Sequence, residues 1–579
     1  MASDIQKIRH SLSHLLAAAV LERFPKAKLG IGPAIEHGFY YDILFPRPLT
    51  PEDLPKLEAR MRELARMNLP FAGKRVQPAA AKKLFKDQPF KQELVGDFKK
   101  AKKQITVYRT GDVFMDLCAG GHVKNTKEIP ADGFALQRIA GAYWKGDEKN
   151  KMLTRIYGLA FPSKEELGAY RTQLEEAEKR DHKKLGAELD LFTFSDLVGG
   201  GLPLWTPRGT LMRNLLDSFV WELRKARGYE QVDIPHIAKK DLYETSGHWE
   251  KFKDDLLKII TREGHLFVMK PMNCPHHAQI YKRKMFSYRE LPQRYANTTK
   301  VYRDEQSGEL SGLSRVRSIT QDDAHVFCRQ SQVRGEIEKI WEIVETFYGV
   351  FGFHLSVRLS LRDPKNPKAY LGSPAVWKKA ENGLRIVVKG KHIAAVEAPG
   401  EAAFYGPKID FMGKDSLGRE WQVATIQLDM NQPERFNLTC VNEDGKPERI
   451  VMIHAAIMGS IERFLSILIE HVAGAFPTWL APVQARILPI ADRHLSYANE
   501  VRTALNAKGI RVEVDESKET IGKKIRNAEV QKIPYMLIVG DREQEAKAVG
   551  VRRYGKGDLG ATPLEAFVAA ISHEVAQKK

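Results

Sequence analysis

The chain has 579 residues, 43% of them hydrophobic and 28% charged, which is enough for three or four domains with cores of their own. Its formal charge of +18 favours a polyanionic partner, nucleic acid first and an anionic membrane surface second. Composition also excludes a spanning protein and a disulfide scaffold. No run of 18 apolar residues is present, and the four cysteines (Cys118, Cys274, Cys328, Cys440) are widely scattered. The opening MASDIQKIRHSLSHLLAAAV is broken too early by His10 and His14 for a signal peptide. A cytoplasmic location with reduced thiols is the expectation.

In chain order, a helix is expected from Asp4 to about Phe24, with His10 and His14 four apart on one face. GPAIEHGFYYDI follows as an aromatic strand between Gly and Pro turns. Lys74 to Lys103 is a Lys-rich stretch expected to be a solvated surface. VFMDLCAGGHVKNT then supplies Cys118 and His122, also four apart, at a Gly-Gly turn. By spacing alone the two pairs are a zinc site, against the plainer reading of ordinary histidines on a helix and a loop. Ser163 and Glu166 form a capping box, and a highly charged helix over 163–185 is expected to bridge domains.

The largest unit, 186–482, begins with a helix that is apolar at 212, 215, 216, 219 and 223, stopped by Gly228 and followed by a strand into Pro235. In FVMKPMNCPHHAQIY the flanking prolines are expected to expose Cys274. Residues 301–328 read as two antiparallel strands, VYRDE and VRSITQDDAHVF, around a Gly/Ser-rich loop, Gln306–Ser314. Alternation puts Arg317, Ile319, Gln321, Asp323 and His325 on one face, and Arg303 and Glu305 together on the other strand. Such a face is either open to water or built for a ligand with phosphate and amine groups. FYGPKIDF (404–411) and WQVATIQLDM (421–430) are short strands presenting Tyr405, Lys408 and Asp410, then Gln422, Thr425 and Gln427. A buried strand, Ile450–His454, leads to a helix striped by Ile457, Ile461, Phe464, Leu465 and Leu468, with Arg463 off the stripe beside Gly459. Strands and helices alternate over 483–579, an α/β layer with a mostly parallel sheet and charges at Asp541–Glu543 and Arg552–Arg553.

In combination these motifs resemble the class II aminoacyl-tRNA synthetases, and among them the bacterial-type threonyl-tRNA synthetase family. YRDE with VRSITQDDAH is similar to motif 2, GSIERF to motif 3, and the helix, strand and Pro235 to motif 1. HSLSH with DLCAGGH resembles the family's editing domain, and GIRVEVDES with PYMLIVGDRE its anticodon-binding domain. The resemblance covers the whole chain. It implies an α+β editing domain at 1–162, a linker helix at 163–185, a class II antiparallel sheet flanked by helices at 186–482, and an α/β anticodon-binding domain at 483–579. Two departures stand out: the sequence opens directly at the expected editing helix rather than at the ubiquitin-like domain of the familiar enzyme, and Ala455 follows His454 where many relatives carry Arg.

What the family would do here follows residue by residue. Arg303, Arg463 and Lys408 are implied in catalysis. Arg303, Glu305, Arg317, Gln422, Thr425 and Arg463 are implied for ATP with its Mg2+, and Asp323, Tyr405, Gln427 and Met272 for threonine. Zinc would be held by Cys274, His325 and His454. Editing of Ser-tRNA would use His10, His14, Cys118, His122, Asp116 and Lys91, and here the resemblance sets aside the metal that spacing suggests. Glu543 and Arg552 would read the anticodon. The implied partners are tRNA(Thr), ATP, threonine and, through motif 1, a second copy of the chain, with no membrane. Threonine needs both sites: an apolar pocket rejects valine only about 10²-fold, and serine lacks one methyl, worth about 1–3 kcal/mol. Two rivals remain at this stage, a prolyl-type synthetase and a catalytically dead RNA-binding paralogue.

Overall fold

The N-terminal helix runs Ala2–Arg23 and buries Leu12, Leu15, Leu16 and Val20 against Phe39, Tyr41 and Ile43 of the strand Gly38–Leu44. Both belong to the first of two compact units, 1–176 and 177–579, in a computed structural model that describes residues 2–578. Gly38–Leu44 sits in a sheet with Met152–Ala160 and Phe134–Tyr143, and a second sheet joins Phe71–Arg75, Thr106–Thr110 and Phe114–Leu117. The Lys-rich stretch forms the helices Pro78–Leu84 and Pro89–Lys100, and Lys91 within it is buried rather than solvated. The expected single helix over 163–185 is two, Lys164–Lys179 and His182–Glu188. Asp181 has left the helical region (φ −50°, ψ 122°), and its side chain caps the second helix by accepting the Lys183 N–H.

An eight-stranded sheet forms the centre of the second unit. Its order is Glu230–Gln231, Gln293–Tyr302, Ser318–Cys328, Val451–Ser460, Glu420–Asp429, Lys408–Lys414, His354–Leu361, Ala395–Pro399, antiparallel except for the outermost pairing at each edge. The helices Pro207–Lys225, Val333–Gly349, Pro374–Gly390 and Ile461–His471 bury Met212, Ile337, Leu384 and Leu465 against Ala324, Val326, Ile426 and Ile453 of the strands. The expected strand VYRDE ends at its tyrosine. Arg303 N–H still bonds Arg317 O at 3.0 Å, but Asp304 N–H turns to the Asp255 carbonyl at 2.9 Å and leaves the hairpin.

Two bulges re-aim side chains. One inserts Val423 between the partners of Phe411 and Met412, so Gln422 shares a face with Thr425 and Gln427 although strict alternation would separate them. The other puts residues 457–459 opposite Asp322 alone. Ile457 therefore lies in a strand, not in the expected helical stripe. The helix starts at Ile461, where the Ser460 side chain accepts the Arg463 N–H.

In the C-terminal part the sheet order is Val512–Val514, Ala485–Pro489, Tyr535–Val539, Ala548–Arg553, Gly557–Pro563. Two pairings are parallel and two antiparallel, so the expected mostly parallel sheet is mixed. Only the short helix Asp541–Glu545 separates Tyr535–Val539 from Ala548–Arg553, too little chain for a parallel crossover, and Gly557–Pro563 adds a hairpin strand that periodicity did not reveal.

Both bulges rest on Tyr348, which is fully buried; its hydroxyl lies 3.0 Å from Val423 O and 2.8 Å from Ile457 O. Tyr348→Phe keeps the ring and strands both carbonyls. It is expected to lower unfolding stability by about 1–3 kcal/mol in a denaturant titration.

Candidate active site and N-terminal pocket

The open face of the eight-stranded sheet holds a cleft of about 610 Å³, lined among others by Arg303, Glu305, Gln321, Gln422, Thr425 and Arg463. Arg463 sits on the first turn of its helix, clear of the apolar stripe. Crowding by the cleft walls desolvates its guanidinium, although it stays open to solvent, and burial does the same to Arg303; both are pulled below the ordinary arginine range, with Glu305 and Asp255 opposing the shift at Arg303. Glu305 is held by Arg315 at 2.7 Å. Arg303 Nη2 also reaches Met272 Sδ at 3.6 Å, where an adjoining cavity of about 500 Å³ opens. Arg317 lies outside the cleft lining and bonds the Glu305 carbonyl at 3.0 Å and Gly200 O at 3.3 Å.

Asp410, fully buried, gathers the next group. It accepts from Ser360 Oγ (2.7 Å), Gln422 Nε2 (2.9 Å) and Thr425 Oγ1 (3.0 Å), and Lys408 Nζ stands 3.2 Å away. Lys408 lies opposite Gln427 across the strands, and Gln427 accepts the Tyr405 hydroxyl. The Tyr405 ring in turn stacks on His454 with centroids 4.8 Å apart.

Cys274, His325 and His454 each offer a donor atom within 4.8 Å of the other two. Cys274 is buried, not exposed as its flanking prolines suggested, because it starts the helix Cys274–Lys282 against Phe286, Phe327 and Leu438. His325 Nε2 and His454 Nδ1 face each other at 3.1 Å. His454 Nε2 lies 3.0 Å from Asp429, so with that nitrogen donating, Nδ1 carries a lone pair. His325 Nδ1 is 2.8 Å from His277 Nδ1. Burial drives the His325 imidazole well below its usual range and the Cys274 thiol well above. A thiol and two imidazoles, one backed by a carboxylate, fit a tetrahedral zinc ion with one position open, and a bound cation would reverse the thiol's shift. Asp323, on the same strand face, accepts from Asn273 Nδ2 at 3.1 Å, and burial raises its carboxyl.

In the first unit His10, His14, Cys118 and His122 likewise converge within 4.8 Å. Cys118 Sγ lies 3.5 Å from His10 Nε2 and 3.2 Å from His122 Nε2, and Ser11 Oγ is 3.2 Å from His122 Nδ1. Beside them Asp116 is shared by Lys91 and the Tyr41 hydroxyl, all three buried. Burial lowers His10, drives His14 well down, takes His122 to about 2 and pushes Cys118 up to about 11. The pocket is thus a set of neutral rings and a protonated thiol around one buried ion pair. In the C-terminal part, Glu543 accepts the Gly540 N–H at 3.0 Å, and Arg552 Nη1 stands 3.6 Å from Asp558.

The fold and cleft define a class II aminoacyl-tRNA synthetase. Residues 256–472 match the tRNA synthetase class II core domain (G, H, P, S and T), 484–574 the anticodon binding domain, and 105–157 the threonyl and alanyl tRNA synthetase second additional domain. A threonine–tRNA ligase of Gloeobacter violaceus is 49% identical, covering 99% of this chain and 93% of the relative. One of Rubrobacter xylanophilus is 48% identical over 99% of this chain and 89% of the relative. The solved RNA binding domain of a threonyl-tRNA synthetase from Cryptosporidium parvum is 37% identical with a TM-score of 0.65, covering 68% of this chain and 98% of that one. The chain belongs to the threonine–tRNA ligase family.

Sequence reasoning placed Asp410 on its strand but missed the other groups that hold these side chains: Asp429, His277 and Asn273 in the second unit, Tyr41 and Ser11 in the first. None has a spacing signal of its own. Asp429 and Tyr41 sit on strands that periodicity did find, where a polar residue at an inward position is the cue.

With a thiol pushed to about 11, Cys118 is expected to react with iodoacetamide at pH 8 about a hundredfold more slowly than an ordinary thiol, the rate climbing until pH reaches about 11. Alkylation followed by mass spectrometry at residue 118 reads this; a rate already on its plateau at pH 7 contradicts it.

Proposed function

We propose that the chain activates threonine with ATP, transfers it to the 3′ end of tRNA(Thr), and hydrolyses mischarged Ser-tRNA(Thr) in its N-terminal unit. One observation carries the reading. The strand Ser318–Cys328 extends from the arginine-lined cleft to the Cys274/His325/His454 cluster, with Gln321, Asp323 and His325 on one face between them. A polyphosphate site and a metal-type site are thereby joined by a carboxylate suited to an amine.

In the activation step a carboxylate attacks the α-phosphate, so two anions must meet. Arg303 and Arg463 offset that charge, Glu305 accepts from the adenine amine, and Mg2+ accompanies the phosphates. Thr425, Gln422 and Lys408 are held in place by Asp410, and positioning of this kind needs no covalent nucleophile. Asp323 accepts from the substrate amine, with Tyr405, Gln427 and Met272 around the side chain. Zinc, when held by Cys274, His325 and His454, would supply an open coordination position for the threonine amine and hydroxyl, which valine cannot fill. Arg317, tied to the Glu305 carbonyl, orders the loop next to the cleft. Glu543 and Arg552 contribute anticodon recognition, and the helix Pro207–Lys225 supplies the surface for a homodimer.

Threonine-dependent ATP–pyrophosphate exchange tests the reading directly. In Cys274→Ser, metal analysis is expected to show zinc lost and exchange down at least about 10²-fold. Full activity in a zinc-free wild type would refute the metal's role.

Serine keeps the amine and hydroxyl, so the second pocket must remove it. His10, His14, Cys118 and His122 position a water and the terminal ribose hydroxyls, while Lys91 and Asp116 orient the ester and amine, without a resident metal. The double variant His14→Ala, Cys118→Ala is expected to slow Ser-tRNA deacylation by about 10²-fold or more and leave threonine activation intact. Chelator should not slow the wild type. Hydrolysis that stops in chelator, or survives in the double variant, would refute this assignment.

A further inference from the structure

His182 opens the helix His182–Glu188 and is buried, and both of its ring nitrogens are engaged. Nδ1 lies 2.7 Å from Glu470 Oε1, and Nε2 lies 3.1 Å from the backbone nitrogen of Leu313. An amide N–H only donates, so Nε2 is the acceptor and the Nδ1–H donates to Glu470. With both nitrogens taken, no lone pair is left for a cation, although Asp181, His182 and Glu470 lie within metal-binding reach of one another.

The two partners of this ring belong to different walls of the cleft. Leu313 is fully buried in the loop 306–314, and the next residues, Ser314 and Arg315, line the cleft, with Arg315 holding Glu305. Glu470 belongs to the last turn of the helix Ile461–His471, whose first turn carries Arg463. The other Glu470 oxygen takes Arg419 at 2.6 Å, Arg419 takes Asp415 at 2.7 Å, and Asp415 accepts the Trp421 indole N–H at 2.9 Å. Trp421 also lines the cleft. Packing is close: a Cβ on Gly312 would stand 2.3 Å from His182 Nε2.

We propose that His182 is a positioning residue for the ATP cleft, one imidazole that ties the loop between Glu305 and Arg315 to the helix carrying Arg463. The proposal rests on the reading of that cleft as the ATP site. Hydrogen bonds through both nitrogens fix the spacing between the walls, and the walls, not the ring, touch the nucleotide.

Asparagine places its amide nitrogen where Nδ1 stands and keeps the Glu470 bond, whereas glutamine places its amide oxygen near Nε2 and keeps the Leu313 bond. Threonine-dependent exchange is measured for wild type, His182→Asn and His182→Gln. The KM for ATP is expected to rise about tenfold in the asparagine variant, about 1.4 kcal/mol, and at most about threefold in the glutamine variant. The threonine KM should stay within about twofold in both, because a merely unfolding-prone variant would not separate the two substrates. Equal ATP KM values in the two variants, or a threonine KM that climbs with that of ATP, would overturn the proposal. Should the asparagine variant fail to fold, hydrogen exchange of peptides spanning 306–317 decides between wild type and the glutamine variant. Retained protection is expected, and lost protection at an unaltered ATP KM overturns the clamp. If another amino acid than threonine drives wild-type exchange, the substrate reading fails alone and the same comparison is run with that amino acid. If none does, ATP affinity by equilibrium dialysis takes the place of KM.

Discussion

The Asp322 carboxylate, buried beneath the central sheet, is the constraint from which the active face follows. Its oxygens accept the backbone N–H groups of Ile457 (2.8 Å) and Met458 (3.0 Å), and Arg224 from the helix Pro207–Lys225 meets it at 3.2 Å. Those two amides belong to the bulge, where the ladder to Ser318–Cys328 offers them no partner. An unpaired buried amide costs about 1–3 kcal/mol, so without the carboxylate the bulge would collapse toward a regular ladder. A regular ladder would in turn shift the helix that carries Arg463. Asp322 thus turns an irregularity in backbone pairing into a fixed placement of a cleft arginine, and its own charge is tolerable only because Arg224 and two amides meet it.

The same economy of partners recurs around each functional group. Asp410 serves Ser360, Gln422, Thr425 and Lys408 at once, and Asp429 fixes the ring of His454 while also accepting the N–H groups of Asn431 and Gln432. Buried carboxylates with several donors hold side chains more rigidly than single contacts do, since moving any one leaves the rest unsatisfied. Such rigidity is what electrostatic catalysis of phosphoryl chemistry requires, because it lowers the reorganisation needed when charge develops.

Much of this was legible in the sequence, for identifiable reasons. Alternation grouped Ile319, Gln321, Asp323 and His325, because that strand pairs without slipping along its length with Gln293–Tyr302, but it also included Arg317, which precedes the strand Ser318–Cys328 and bonds the Glu305 carbonyl instead. Alternation failed at Gln422 and Ile457, where bulges insert residues and no residue type marks them. Cys274, His325 and His454 lie on three segments that only the folded sheet brings together, so their juxtaposition had no local signature and came from family likeness. The C-terminal sheet was misread as mostly parallel because strand–helix alternation says nothing of direction when the connecting helix is as short as Asp541–Glu545. Partners such as Asp429 and Tyr41 went unread for a different reason: a polar residue at an inward strand position is only a weak cue until its burial is known.

The two clusters built from cysteine and histidine show why residue type alone does not decide chemistry. In the second unit Asp429 gives one oxygen to two backbone N–H groups and turns the other to His454 at 3.0 Å, where it polarises the ring and makes the opposite nitrogen a strong donor for a cation. In the first unit the comparable carboxylate, Asp116, is already taken by Lys91 and Tyr41, and its nearest approach to His14 is 3.9 Å. A fixed ammonium inside that pocket opposes any second cation, and it lowers His14 by its charge as well. Lys91 against Asp116 therefore gives this cluster a cationic neighbour, whereas among the described residues the carboxylate behind His454 carries no such ammonium. That difference in carboxylate and ammonium placement is the physical support for the metal-free hydrolytic pocket proposed above.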